Sequence, residues 1–260
     1  MTHPIFSLQE RTVLLTGASG YLGSAMAQGL AEAGANVVIS SRRMDQAQTI
    51  ADSLPAIGNS QHFAVEIDHQ ATDSIESGFR LALDLAGKID VLVANGHEPT
   101  TADWTSTTPE QFTRQLQNAS GYFLLARLLH DHLTSRSGQG SVIFLGSMYG
   151  VVGSYPDAYA GIAPASPVAY HALKGGVIHM TRHLAVYWAK DGVRVNCLSP
   201  GPFPSAKAKP AMVENLCTHS PMGRMGRPEE LVGPLVFLAS DAASYVTGQN
   251  LLVDGGWTAW

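Results

Sequence analysis

The sequence predicts one α/β domain built on a doubly wound parallel sheet of seven strands, with helices on both faces. Three observations carry this expectation. Seven short apolar runs alternate with longer stretches of helical periodicity along the whole chain. Strands separated by helices pair in parallel through right-handed crossovers. The runs are continuously apolar rather than alternating, as in strands covered on both faces. No repeat, charge block or linker interrupts 260 residues that are 45% hydrophobic and 14% charged. One domain over 1–260 therefore has enough apolar surface for a large core.

The first strand, 13–15, runs into Thr16-Gly17-Ala18-Ser19-Gly20-Tyr21-Leu22-Gly23, where a helix over 21–32 begins. Glycines here let the backbone turn sharply and approach a pyrophosphate, while the helix N-terminus offers free N–H groups. Gly17, Ser19, Gly20, Tyr21, Leu22 and Gly23 are thus candidate cofactor contacts, although an ordinary strand–helix turn uses the same glycines. The second strand, 37–39, ends in Ser40-Ser41-Arg42-Arg43 before a helix over 44–53. A site for NAD would place an acid there for the ribose 2′-hydroxyl. Ser41 and Arg42 instead suit a 2′-phosphate, which favours NADP(H) over NAD(H); a solvated charge pair is the plainer reading. Asp68 follows the third strand, 63–67, and either accepts a bond from an adenine amino group or caps the helix over 70–86.

The fourth strand, 91–93, leads to a helix over 109–134, and the fifth, 142–145, ends in Gly146-Ser147. A Pro/Gly/Ser-rich interval, 153–167, reads as an inserted loop rather than a helix, forming a wall or lid over a substrate. The helix over 168–190 carries Tyr170 and Lys174 at i and i+4, on one face. A phenol is a poor acid–base catalyst near neutrality, and a nearby cation lowers its pKa. Loops at the C-terminal ends of parallel strands are where such folds build sites. A sixth strand at 193–198, a helix over 228–240 and a seventh strand at 251–253 complete the chain.

With these pieces the chain resembles the short-chain dehydrogenase/reductase family over nearly its whole length. Besides the glycine turn and Tyr170-x-x-x-Lys174, the resemblance rests on Asn118-Ala119-Ser120-Gly121-Tyr122-Phe123, Ser147, Asn196-Cys197-Leu198-Ser199-Pro200-Gly201, Gly223–Glu230 and Val253-Asp254-Gly255-Gly256. It implies a Rossmann-type fold and an enzyme acting on CH–OH groups. It also implies that Tyr170 transfers the proton, Lys174 holds the nicotinamide ribose, Ser147 orients the reacting oxygen and Asn118 keeps a water in a relay. Asn95, Pro200, Gly201 and Ser205 would border the cofactor. Three departures stand out. Tyr21 takes the place of the middle glycine, with Gly20 one position earlier. Ala94-Asn95-Gly96-His97 replaces Asn-Asn-Ala-Gly. The Ser147–Tyr170 spacing is about ten residues longer than in many relatives.

Within the family, Ser147-Met148-Tyr149-Gly150, the long loop and the ending Gly256-Trp257-Thr258-Ala259-Trp260 look most like gluconate 5-dehydrogenase and other sugar-acting members. Tyr155, Asp157, Tyr159, His97 and Glu98 could bond hydroxyls of a sugar acid or polyol; as loop residues they could equally be plain surface. The alternative is reduction of a 3-oxoacyl group on an acyl carrier protein, which wants a basic docking patch; none is evident in the sequence. A regulator that binds cofactor without chemistry is a further alternative, opposed by the presence of Asn118, Ser147, Tyr170 and Lys174 together.

Net charge −5 and pI about 6.0 argue against nucleic acid as partner. Two cysteines exclude a disulfide-dense scaffold. No apolar run reaches a membrane span, and 1–11 has no signal pattern. Thr at position 2 and the terminal Trp260 argue against lipidation. The expectation is a cytoplasmic protein with a small-molecule substrate, and the family resemblance adds a homotetramer. His179 and His183 lie at i and i+4 without an adjacent glutamate, so no metal site is expected. His130 and His132, at i and i+2, default to the surface.

Overall fold

The computed structural model describes residues 4–99 and 102–259. The expectations drawn from residue 2 and from Trp260 lie outside them. The elements are β1 (Thr12–Thr16), α1 (Tyr21–Glu32), β2 (Asn36–Ser41), α2 (Met44–Ser53), β3 (His62–Glu66), α3 (Thr72–Ala86), β4 (Val91–Ala94), α4 (Pro109–Ser135), β5 (Gly140–Leu145), α5 (Pro156–Tyr159), α6 (Val168–Trp188), β6 (Val193–Pro200), α7 (Pro210–His219), α8 (Val232–Ala239) and β7 (Asn250–Val253). All strand pairs are parallel, in the order β3-β2-β1-β4-β5-β6-β7. The order reverses between β1 and β4, which opens a crevice beyond their C-terminal ends.

Successive side chains of each strand feed opposite cores. Leu14, Val38, Leu92, Val142 and Val195 pack on one face with Phe79 of α3, Leu125 of α4 and Val177 of α6. Val13, Leu15, Val37, Val93 and Leu198 pack on the other with Leu30 of α1, Ala47 of α2 and Leu235 of α8. Burial on both faces explains the uninterrupted apolar runs. Helix α4 begins with a capping box: Gln111 N donates to Thr108 Oγ1 and Thr108 N donates to Gln111 Oε1, with Pro109 in the first turn.

Four segments differ from the sequence expectation. Residues 228–240 divide into a 3₁₀ turn, Pro228–Leu231, and α8. Pro234 has no N–H to continue the ladder and is tolerated only in a first turn, so the α-helix restarts at Val232. The loop over 153–167 contains a helical turn, α5. Helix α7 was not anticipated; Pro210 occupies its first turn and its apolar Leu216 joins Met148, Tyr149, Ala158 and Trp257 in a small third core. His130 and His132 are half-buried rather than surface residues. His130 bonds Asp191 at 3.0 Å and stacks on Trp188, and His132 Nε2 accepts from Ile89 N. Among the described residues no helix is long and apolar enough to cross a membrane.

Candidate active site

The glycine turn is braced from β4. Thr16 Oγ1 accepts from the N–H groups of Asn95 (3.0 Å) and Gly96 (2.9 Å), and Asn95 Nδ2 donates to the carbonyls of Thr16 and Gly17. Gly17 has φ +65°, and a Cβ there would meet the Gly96 backbone at 2.7 Å, so only glycine fits. A Cβ on Gly23 would collide with the Gly17 carbonyl. Gly20 is different: its φ is −78° and it needs no special conformation. The displaced glycine thus leaves the turn intact, with Tyr21 opening α1, 46% exposed. No side chain caps the first turn of α1 and none in it is acidic, so its N–H groups remain available to an anion. Together Gly17, Ser19, Gly20, Tyr21, Leu22, Gly23, Ser41, Arg42 and Asn95 line a cleft of about 320 Å³ at the switch point, joined by His69 and His97. The residues present fit a dinucleotide.

Arg42 stands at this cleft, with Nη1 3.5 Å from Glu98 Oε2. Asp68 is occupied locally: its Oδ1 accepts from Gln70 N and its own N–H donates to Ser74 Oγ. It closes an Asx turn ahead of α3 and is not among the residues lining the cleft.

The catalytic candidates converge from three elements. Ser147 follows β5 and starts the 3₁₀ turn Met148–Gly150, where its Oγ accepts from Tyr149 N. A Cβ on Gly150 would meet the Lys174 carbonyl at 2.7 Å; its absence lets this turn lie directly on α6. That contact brings Ser147 to Tyr170 across a long insertion. Burial raises the Tyr170 pKa, while a hydrogen bond with Ser147 lowers it. Lys174 does not supply the lowering expected from the sequence. Its Nζ lies 5.6 Å from the Tyr170 ring centre, donates to the Leu145 carbonyl at 2.6 Å, and is itself pushed down to about 8 by burial.

Asn118 is fully buried on α4. Its Oδ1 accepts from His69 Nε2 (2.7 Å) and Glu98 N (2.9 Å), and its Nδ2 donates to the carbonyls of Glu98 and Gln115. This amide is saturated by protein groups, so its side chain fixes the segment after β4 and has no position left for a relay water. Gly121 permits the arrangement, because a Cβ there would collide with the His69 carbonyl. Gly121→Ala is expected to cost at least ~2 kcal/mol through overpacking, lowering Tm by roughly 4–8 °C in a calorimetric scan. An unchanged Tm would mean that α4 can move off His69 freely.

His97 is the departure with most consequence. Its ring meets the edge of Tyr170 at 5.4 Å between centres, and it lines both the dinucleotide cleft and a second cavity. Burial, then Lys174 and His69, push its pKa down to about 3, so it is neutral at ordinary pH and accepts from Gln115 Nε2 at 2.6 Å. Nothing in the sequence pattern pointed to His69 or Gln115, since each acts on a partner distant in the chain.

The second cavity, about 370 Å³, is bordered by Ser147, Tyr149, Tyr159, Tyr170, Gly201 and Phe203, among others. Of the loop residues proposed to face a substrate, Tyr159 does so, hydrogen-bonded to Tyr149. Tyr155 and Asp157 instead bind α7: Tyr155 stacks on His219 at 4.1 Å, and Asp157 pairs with His219 at 3.1 Å. The loop is therefore both wall and brace. Gly201 is required, since a Cβ would meet Asp254 at 2.5 Å. Pro200 is buried in β6 opposite Val253, and Ser205 Oγ accepts from Lys207 N; neither lines the cavity. Ala208, between Lys207 and Lys209, also lines this cavity, and Lys209 donates to the Ile162 carbonyl.

Comparison with known proteins is consistent with this geometry. The family model described as enoyl-(acyl carrier protein) reductase matches residues 17–258. The chain is 35% identical to cis-4-hydroxycyclohexanecarboxylate dehydrogenase of Sinomonas cyclohexanicum, over 96% of this chain and 97% of that one. It is 33% identical to gluconate 5-dehydrogenase of Gluconobacter oxydans, over 99% of both. A crystal structure of a gluconate 5-dehydrogenase from Burkholderia cenocepacia, in complex with NADP and tartrate, superposes with a TM-score of 0.87 at 30% identity, covering 98% of each chain.

Proposed function

The chain belongs to the short-chain dehydrogenase/reductase family, and from that premise we propose that it interconverts a secondary alcohol and a ketone on a sugar acid or polyol, using NADP(H). That it is an oxidoreductase acting on CH–OH groups follows from the family and its dehydrogenase relatives. The observation that carries the finer reading is one junction. Ser147 and Tyr170 border a cavity that meets the dinucleotide cleft at His97.

When bound, the nicotinamide dinucleotide supplies or accepts the hydride. Gly17–Gly23 and the first turn of α1 hold the pyrophosphate. Ser147 donates to the reacting oxygen and orients it. Tyr170 gives its proton to that oxygen during reduction and takes one back during oxidation. Lys174, bonded to the Leu145 carbonyl, would hold the nicotinamide ribose, and its charge beside the Tyr170 ring would stabilise the developing phenolate. His97, neutral, and Tyr159 bond neighbouring hydroxyls. The mixture of hydroxyl-bearing side chains with Met148 and Phe203 suits a polyhydroxylated chain with apolar C–H faces, and the tartrate and NADP in the Burkholderia relative support the same class. Exposed Phe123 on α4 and Val186 and Tyr187 on α6 offer apolar surface to a second copy, as the homotetramer reading needs.

A panel of polyols, sugar acids and 3-oxoacyl thioesters ranked by kcat/KM tests the substrate class. A preference for the thioesters would overturn it in favour of acyl-carrier chemistry. For the cofactor, Arg42→Ala is expected to weaken NADPH about tenfold or more. The basis is one lost charge-assisted hydrogen bond of roughly 1.5–3 kcal/mol. NADH should change far less. Equal losses in binding titrations would make Arg42 a structural residue.

A further inference from the structure

A 2′-hydroxyl is read by an acid at the end of the second strand, and β2 ends without one. The fold brings a carboxylate there from a different element. Glu98 lies after β4, and its Oε2 is 3.5 Å from Arg42 Nη1. Glu98 is pinned from several sides. Its Oε1 accepts from Arg114 Nε at 2.8 Å and lies 2.6 Å from Arg114 Nη2. Its main chain is held by both ends of the Asn118 amide. Arg42 is the looser partner: its side chain is 58% exposed, against 23% for Glu98, and among the described residues it has no other ion pair. The fixed carboxylate therefore defines where the guanidinium rests.

We infer that Glu98 is a second reader of the adenosine ribose, and that the Arg42–Glu98 pair sets the preference between NADP(H) and NAD(H). The inference rests on the reading that the adenosine end of the dinucleotide lies at Arg42. A carboxylate accepts a hydrogen bond from a 2′-hydroxyl and repels a 2′-phosphate; a guanidinium attracts the 2′-phosphate and donates to it. With Arg114 counted, the cluster holds two cations and one anion. A phosphate is still attracted, but less than Arg42 alone would attract it. When a phosphate arrives, the Arg42 fork gives up only a long contact, and Glu98 keeps Arg114. The pair thus sets a moderate preference for NADP(H), with NAD(H) the weaker ligand.

The experiment is isothermal titration of the full-length protein with NADPH, NADH, 2′,5′-ADP and 5′-AMP, for the parent, Glu98→Gln, Glu98→Ala and Arg42→Ala. Glu98→Gln keeps an oxygen for Arg114 while removing the charge. It should tighten NADPH and 2′,5′-ADP by roughly 3–10-fold, from the lost repulsion. It should weaken NADH and 5′-AMP by about 3–10-fold, from the lost acceptor. Glu98→Ala should move them in the same directions. Opposite shifts for the two dinucleotides are the signature. No shift, or a parallel loss for both accompanied by a lower Tm, would make Glu98 only a brace for the segment after β4 and overturn the inference. If Arg42→Ala leaves NADPH and 2′,5′-ADP unaffected, it is the underlying NADP reading that fails, whatever Glu98→Gln does.

Discussion

Tyr170→Phe is expected to lower kcat by about 10²–10⁴-fold, the range a positioned general acid contributes, while NADPH binding stays within about twofold of the parent, because no bond to the dinucleotide of the ~1 kcal/mol expected for a hydrogen bond is assigned to this hydroxyl alone. The ring survives the change, so its edge contact with His97 and its place in the third core survive too. What disappears is the transferable proton and the hydrogen bond with Ser147. Burial raises the phenol's pKa above its ordinary value and the hydrogen bond with Ser147 offsets part of this, so the group carries its proton at pH 7. Turnover by the purified variant at saturating cofactor, measured from NADPH absorbance, is the check. Activity within tenfold of the parent would remove Tyr170 from the chemistry.

Lys174→Met is expected to abolish turnover and at the same time raise Tm. Lys174 is 4% exposed, and burial brings its pKa from 10.5 down to about 8. Its charge in the folded state therefore carries a penalty of a few kcal/mol, since each tenfold loss of proton affinity corresponds to about 1.4 kcal/mol. The bond to the Leu145 carbonyl offsets part of this, roughly 1–3 kcal/mol. Methionine fills a similar volume without the charge. The pH dependence has a definite sign. Because the folded pKa is depressed, the unfolded chain holds more protons between about pH 8 and 10.5. The penalty is complete below that window and relieved through it, so parent stability rises there relative to the variant. Melting curves at pH 7 and pH 10.5 should show the stability gap between variant and parent narrowing. A gap that is constant with pH would mean that Lys174 binds its proton as tightly in the folded protein as in the unfolded chain, so that burial carries no charge penalty. A lower Tm at both values would mean that the carbonyl bond outweighs the burial cost.

The sequence by itself determined the layered parallel sheet, the glycine turn and the Tyr170–Lys174 pair. These are local properties: an apolar run, a glycine with positive φ at Gly17, two side chains one helical turn apart. Periodicity and short-range sterics encode them within a window of a few residues. It also placed each strand, though β2 and β6 run two residues beyond their apolar runs, into Ser41 and Pro200. Tertiary structure decided what each polar group at those ends is for. Asp68 could serve a cofactor or a turn, and the folded chain commits its Oδ1 to the neighbouring Gln70 amide. Asn118 is consumed by His69 and Glu98, which are 49 and 20 residues away. Tyr155 and Asp157 turn to α7, an element whose short amphipathic face has meaning only against Trp257 and the 3₁₀ turn after Ser147. The acid missing from β2 arrives 56 residues later in the chain, as Glu98. Hydrogen bonds and ion pairs act only within a few ångströms and carry no sequence periodicity. Which donor meets which acceptor is therefore fixed by strand order and loop path, and only the folded chain brings Arg42 and Glu98 to the same rim.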